Sequence, residues 1–342
     1  MSERLREGTN GHSAIRPSVG APYSRFHSIG GYRPARVVSN EEICQKIDSS
    51  DEWIRSRSGI VSRRFAGPEE SVVDMAVAAG GKAIAAAGID PERVGSVIVA
   101  TCTMTKPIPA AGPQVAHRLG TVKASAFDVN SVCSGFCHAV ALADNLIRCG
   151  SAEYVLVIGA DKFSPLIDPT DRSIAFIFGD GAGAALLGPA QTPGVGPVVW
   201  GADGSQASAI AMDGDWLDKA ALGEVAYMIM DGPQVFRWAS FEMAKVAKRA
   251  VAAAGLDLDD LDVFIPHQAN MRITDAMARA LKLPERVAIA RDIVETGNTS
   301  AASIPLAMET MLERGEARSG DLALLIGFGA GLSFAAQVVT IP

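Results

Sequence analysis

Ser151-Ala-Glu-Tyr-Val-Leu-Val-Ile-Gly159 returns further along the chain as Ser319-Gly-Asp-Leu-Ala-Leu-Leu-Ile-Gly327. A second pair has almost the same spacing: Ala83-Ile-Ala-Ala-Ala-Gly-Ile-Asp90 matches Ala250-Val-Ala-Ala-Ala-Gly-Leu-Asp257. The offset is 168 for the first pair (151 to 319) and 167 for the second (83 to 250). That is far longer than a solenoid period. It predicts two similar α/β halves fused in one chain. Helix patterns at Val72–Ala87, Phe136–Ile147 and Phe236–Ala254 alternate with short apolar strands such as Tyr154–Ile158 and Ala323–Ile326. The expected division is a flexible tail over 1–21, an N-terminal half over 22–190 and a C-terminal half over 191–342, with linker-like residues at Pro189–Pro197.

Chemistry is expected where open α/β sheets place it, at strand ends. An apolar stretch, Ala124 to Val132, leads into Cys133, and a helix pattern follows Ser134 and Gly135. A thiol at such a corner faces converging backbone N–H groups and the positive end of a helix, which favours the thiolate. Alone, Cys133 reads more readily as a small buried core residue. Val263-Phe-Ile-Pro266 delivers His267 at its end, and the small-residue loop Thr296-Gly-Asn-Thr-Ser-Ala-Ala-Ser303 carries Asn298. Alone, these read as a structural hydrogen-bonder and as turn chemistry. Under the duplication Cys133 falls opposite Ser300–Ala301, and His267 opposite Ala100, so all three candidates are expected around one shared cavity.

The composition is that of a globular α/β protein, with 48% hydrophobic and 20% charged residues. No apolar run reaches the length of a membrane span. The polar residues 1–20 contain no secretory apolar core. The cysteines (44, 102, 133, 137, 149) show no C-x-x-C or zinc spacing, and a reduced, cytoplasmic compartment is expected with no metal. The net charge of −7 argues against general nucleic-acid binding.

Six motifs then occur in order: Phe127-Asp-Val-Asn-Ser-Val-Cys-Ser-Gly-Phe136, Asp168-Pro-Thr-Asp-Arg172, Phe178-Gly-Asp-Gly-Ala-Gly183, Ile265-Pro-His-Gln-Ala-Asn270, Gly297-Asn-Thr-Ser-Ala-Ala-Ser303 and Gly327-Phe-Gly-Ala-Gly331. With them the chain resembles the β-ketoacyl-[acyl-carrier-protein] synthase III family over roughly residues 22 to 342. The resemblance implies the thiolase fold, with duplicated βαβαβ halves in a five-layered α-β-α-β-α sandwich, as a homodimer. It implies a decarboxylative Claisen condensation of an acyl-CoA with malonyl-acyl carrier protein (ACP), with no cofactor. Cys133 would carry the acyl group. The backbone N–H groups of Cys133 and Ala330 would hold the oxyanion, and His267 and Asn298 would stabilise the enolate as uncharged donors.

Trp53 and Arg172 match the pair that sandwiches the CoA adenine, and Arg57 a nearby contact. Arg237 and Arg272 match basic residues that meet the carrier protein. Lys245, Lys248 and Arg249 share the helix of Arg237, and a basic patch on an acidic enzyme suits an acidic partner. Three departures stand out. The cysteine flank is Asn-Ser-Val-Cys-Ser, Ala330 replaces a glycine, and Ile108 stands where an aromatic lines the acyl pocket across the dimer, which implies room for starters larger than acetyl. The competing readings are a polyketide-priming enzyme, a same-fold acyltransferase acting on an alcohol or amine, and a non-catalytic scaffold. A thiolase would want a second cysteine within 327–331, and none is there.

Overall fold

The structure, a computed structural model, describes residues 18–342. Residues 1–17 of the expected tail lie outside the described residues. Just beyond them Ala21 is already tied down, its N–H donating to the Ile147 carbonyl at 3.3 Å.

The first half runs β1 (Tyr23–Tyr32), β2 (Arg36–Ser39), α1 (Asn40–Cys44), α2 (Asp51–Ser58), β3 (Ser62–Phe65), α3 (Val72–Ala87), β4 (Val94–Ala100), α4 (Ala111–Arg118), β5 (Ser125–Val129), α5 (Gly135–Arg148), β6 (Tyr154–Asp161) and β7 (Gly181–Ala190). The second runs β8 (Val199–Ala202), β9 (Ile210–Met212), α6 (Trp216–Ala221), β10 (Met228–Met230), α7 (Gly232–Ala253), β11 (Val263–Pro266), α8 (Met271–Leu281), β12 (Ala288–Ile289), α9 (Ile293–Thr296), α10 (Ser303–Arg314), β13 (Leu322–Gly329) and β14 (Ser333–Thr340).

One five-stranded sheet is ordered β1-β7-β6-β4-β5 and the other β8-β14-β13-β11-β12. Strand for strand these are the same topology, so the repeat in the sequence is a repeat of whole sheets. In each sheet the central pair is parallel and the two strands on the far side are antiparallel.

The layering follows from period-two alternation along the strands. On β6, Val155 and Val157 face the central core while Leu156 and Ile158 face an outer one. On β13, Ala323 and Leu325 face the same central core while Leu324 and Ile326 turn outward. α5 and α10 fill the centre, through Phe136, Val140, Ile304 and Met308. α3 and α4 cover one outer face, and α7 and α8 the other. The result is helix, sheet, helix, sheet, helix.

Local signals set the helix ends. Ser71 and Asp74 form a reciprocal capping box on α3, and Gly88, at φ 63°, ends it. The residues expected as a linker are partly structured: β7 extends to Ala190, and Val195 bridges to Val339.

Candidate active site

Cys133 sits in a single 3₁₀ turn, Val132–Ser134, between β5 and α5. The expected strand stops at Val129, and beyond it Val132 adopts φ 45°, a left-handed conformation rare for a β-branched residue. The second half builds the same corner. Its 3₁₀ turn is Ser300–Ala302, ahead of α10, and Ser300 adopts φ 52°.

Each corner packs on the opposite sheet, through a glycine. A Cβ on Gly159 of β6 would lie 2.2 Å from the Ala301 carbonyl oxygen. A Cβ on Gly327 of β13 would lie 2.9 Å from the Ser134 Cα. The two strained turns are thereby brought together at the pseudo-twofold centre, and Ser300 Oγ reaches Cys133 Sγ at 3.5 Å. Gly329 completes the fit, since a Cβ there would stand 3.0 Å from the sulfur.

Burial controls the charge of this site. The Cys133 thiol is pushed up to about 12, chiefly by desolvation, although Ser300 and the backbone act in the opposite direction. The helix end is expected to favour the thiolate, whereas loss of solvation favours the neutral thiol.

His267 follows β11, and its N–H continues the ladder to the Ile326 carbonyl at 2.8 Å. Its ring is 2% exposed, packs edge-on to Phe328 at 5.3 Å, and burial lowers its pKa to about 3, so it is neutral. Nδ1 lies 2.7 Å from Ser303 Oγ. That hydroxyl oxygen also accepts the Gln268 N–H at 3.3 Å, which anchors it against Nδ1 and leaves Nε2 without a protein partner. The Asn298 side chain is oriented in the same way. Its Oδ1 accepts the Ser300 N–H at 2.8 Å, leaving Nδ2 as the free donor.

Cys133, His267 and Asn298 line one cavity of ≈ 570 Å³, together with Trp53, Arg57, Arg237 and Arg272. Arg172 is exposed beside it, its guanidinium 4.9 Å from the centre of the Trp53 ring. The two are stacked on one another, not held at the roughly 7 Å that a sandwiched base needs. Arg57 stands 5.8 Å from the same ring, and Phe176 packs on it edge-on. Arg272 lies over Phe236 at 5.2 Å. Lys245, Lys248 and Arg249 are exposed on α7, and Lys245 pairs with Glu242 at 2.8 Å.

Ala330 and Ile108 fall elsewhere. Ala330 lines an adjoining cavity of ≈ 520 Å³, which shares Val132, Ile210 and Met228 with the first. Ile108 is 87% exposed and lines neither cavity.

Ser303, Asp161 and the Gly159/Gly327 pair were not singled out from the sequence, and Ser300 only as the mate of the Cys133 corner. For Ser300 a signal existed, because the repeat offset sets it against the Cys133 corner. For Ser303 and Asp161 there was none, since their partners are remote in the chain. Among the described residues there is no cluster of three or more His, Cys, Asp or Glu able to hold a metal, and no helix is long and apolar enough to cross a membrane.

A duplicated five-layer sandwich, with a buried cysteine, histidine and asparagine around one cavity, defines the class of thiolase-fold condensing enzymes. The family model for 3-oxoacyl-[acyl-carrier-protein] synthase III matches residues 127–204, and that for its C-terminal part matches residues 251–341. The chain is 57% identical to β-ketoacyl-[acyl-carrier-protein] synthase III 1 of Streptomyces coelicolor, covering 96% of this chain and 100% of the relative. Among solved structures it is similar to the priming β-ketosynthase of the R1128 polyketide pathway (TM-score 0.94, 42% identity, 96% and 99% covered). It is also similar to 3-oxoacyl-(acyl carrier protein) synthase III of Pseudomonas aeruginosa PAO1 (TM-score 0.87, 38% identity, 94% and 98% covered). The chain belongs to the β-ketoacyl-[acyl-carrier-protein] synthase III family.

Proposed function

We propose that this chain condenses an acyl-CoA starter with malonyl-ACP, with loss of CO2, to give 3-ketoacyl-ACP through an S-acyl-Cys133 intermediate. The observation that carries this reading is the meeting of Cys133, His267 and Asn298 in one cavity whose wall also holds Trp53 and Arg57. Sulfur keeps the acyl carbonyl electrophilic. His267 and Asn298 each present one neutral N–H, the arrangement an enolate oxygen needs, and each donor contributes a few kcal/mol, on the order of a hundredfold in rate. An imidazolium would instead protonate the enolate. Cys133 N–H and Ala330 N–H are the donors assigned to the tetrahedral oxyanion.

The CoA adenine would enter beside Trp53, with Arg172 moving off the ring and Arg57 holding phosphate. The carrier protein would dock over Arg237 and Arg272, with Lys245, Lys248 and Arg249 along α7. A homodimer is supported by β5, an outer strand of its sheet with Phe127 38% exposed, and by the exposed Ile108. The adjoining cavity is walled by Cys102, Phe163, Leu166 and Met212, which gives an acyl group longer than acetyl room. The cytoplasm, where acyl-CoA and carrier protein meet, is the compartment this reading implies.

The test is intact-protein mass spectrometry with a panel of acyl-CoAs, followed by malonyl-ACP. A mass gain on Cys133, absent in Cys133→Ser and discharged as 3-ketoacyl-ACP, is expected. Acylation that malonyl-ACP does not discharge would point to the same-fold acyltransferase. A second reading, priming of a polyketide pathway, draws on the TM-score of 0.94 to the R1128 priming enzyme. It predicts a preference for branched or longer starters over acetyl.

A further inference from the structure

We propose that Ser333 is a positioning residue for the oxyanion. Its hydroxyl ties the turn that carries Cys133 to the hairpin loop that carries Ala330, and so fixes the spacing of their two backbone N–H groups. The proposal deepens the reading above and rests on it for the assignment of those two donors.

The two donors belong to different halves of the molecule. Cys133 lies in the turn ahead of α5, and Ala330 in the loop between β13 and β14. An oxyanion held by both needs their relative position kept to within about 0.5 Å. Gly329 and Ser333 are the last paired residues of β13 and β14, so Ala330, Gly331 and Leu332 lie beyond the ladder. The far side of that loop is held by backbone: Leu332 N–H donates to the Asp203 carbonyl at 3.0 Å, and Asp203 N–H to the Leu332 carbonyl at 2.7 Å. On the near side, glycine permits a close approach, since a Cβ on Gly329 would stand 3.4 Å from Cys133 N. Close approach alone sets no direction. Hydroxyl groups supply it.

Ser333 Oγ donates to the Ala330 carbonyl at 2.8 Å, within the loop. The same oxygen makes three contacts across to the cysteine turn: Ser134 Oγ at 2.9 Å, Ser131 Oγ at 3.4 Å and the Ser131 carbonyl at 3.5 Å. A hydroxyl has one proton and two lone pairs. With its proton on Ala330, Ser333 accepts from the serines of the cysteine turn. Those serines are themselves held. Ser134 Oγ lies 2.9 Å from Ser131 Oγ and 2.8 Å from the Ser131 carbonyl, which also takes the Ser134 N–H at 3.1 Å. Ser134 is wholly buried and Ser333 is 8% exposed, so the link lies away from bulk water, where a hydrogen bond is stiffest. Ser333 thus joins the residue after Cys133 to Ala330 itself.

Two reactions of Cys133 separate this role from a merely structural one. Acylation by p-nitrophenyl acetate develops an oxyanion, whereas alkylation by iodoacetamide displaces iodide from a saturated carbon and develops none. A change in the thiol or in access to it moves both rates together. A change in the spacing of the oxyanion donors moves acylation alone. Neither reaction needs acyl-CoA or carrier protein, so failure here is distinct from failure of the condensation reading, which discharge by malonyl-ACP decides.

Ser333→Ala is expected to lower the ratio of acylation to alkylation at least about fivefold, because a small misplacement of catalytic donors is costly in rate. Ser333→Thr keeps the hydroxyl and is expected to hold that ratio within about twofold of the parent. The double variant Ser131→Ala/Ser134→Ala cuts the same link from the other side, and it decides the matter if Ser333→Ala does not fold. Adding Ser333→Ala to that pair should lower the ratio by no more than about a further twofold, since groups of one link are not additive. A smaller fall in Ser333→Ala, a fall of both rates together, or a parent that is alkylated but not acylated overturns the proposal.

Discussion

At Cys133 a helix end favours the thiolate, while a dry pocket pushes the thiol up to about 12. The same dryness suits the role proposed for His267, donating a hydrogen bond without being charged. Its pKa is lowered to about 3 in the fold, against an ordinary value of 6.5. The folded state therefore binds fewer protons than the unfolded one between those limits. Stability from this group is complete above about pH 6.5 and is lost as pH falls from 6.5 towards 3. Urea midpoints measured across that window should fall more steeply for the parent than for His267→Asn. The condensation rate should show no acid limb near 6.5 from His267. Gly329→Ala is a second test at this scale, because its Cβ would stand 2.8 Å from Cys133 Cβ. We expect Cys133 acylation to fall at least about a hundredfold, with a stability cost of only about 1–3 kcal/mol. Stopped-flow acylation and urea melts separate the two effects.

At the scale of elements, the sequence placed the cores of strands and helices well and their ends less well. α3 spans the expected Val72–Ala87 because a serine cap and a terminal glycine bound it. The stretch ending at Val132 read as a continuous strand, since β-branched residues look alike in a strand and in a strained turn. In the fold Val132 leaves the strand at φ 45°, and the residues that follow it pack closely on Gly327 and Gly329 of β13. Arg63 on β3 shows a related gap. It is fully buried without a carboxylate partner, and its guanidinium donates to the Val38 carbonyl, Asn40 Oδ1 and the Phe176 carbonyl. Phe176 carries the edge-on contact to Trp53, so Arg63 braces the cavity wall. Arg63→Met should cost about 2–4 kcal/mol by leaving those acceptors unpaired, read as a lower urea midpoint. It should also raise the KM for acyl-CoA more than it lowers kcat.

For the whole molecule, the two halves are tied by their central core and by Arg33, just beyond β1. Its guanidinium reaches Glu309 at 2.5 Å, Thr310 at 2.6 Å and the Leu306 carbonyl at 2.8 Å, all on α10, with Asp292 at 3.4 Å. Arg33→Ala should lower stability by about 2 kcal/mol in chemical denaturation, leaving acidic groups facing one another.

The sequence by itself determined the duplication, the α/β alternation and the choice of Cys133, His267 and Asn298 as candidates. Each of these is written in local pattern: repeated segments, period-two strands, and residue types at the ends of strands. Only the tertiary structure decided that Ser300 Oγ touches the cysteine sulfur, that Ser303 anchors the histidine ring, and that burial pushes the thiol up. Those properties arise from groups remote in the chain meeting where water is excluded, and desolvation and hydrogen-bond direction exist only once they have met.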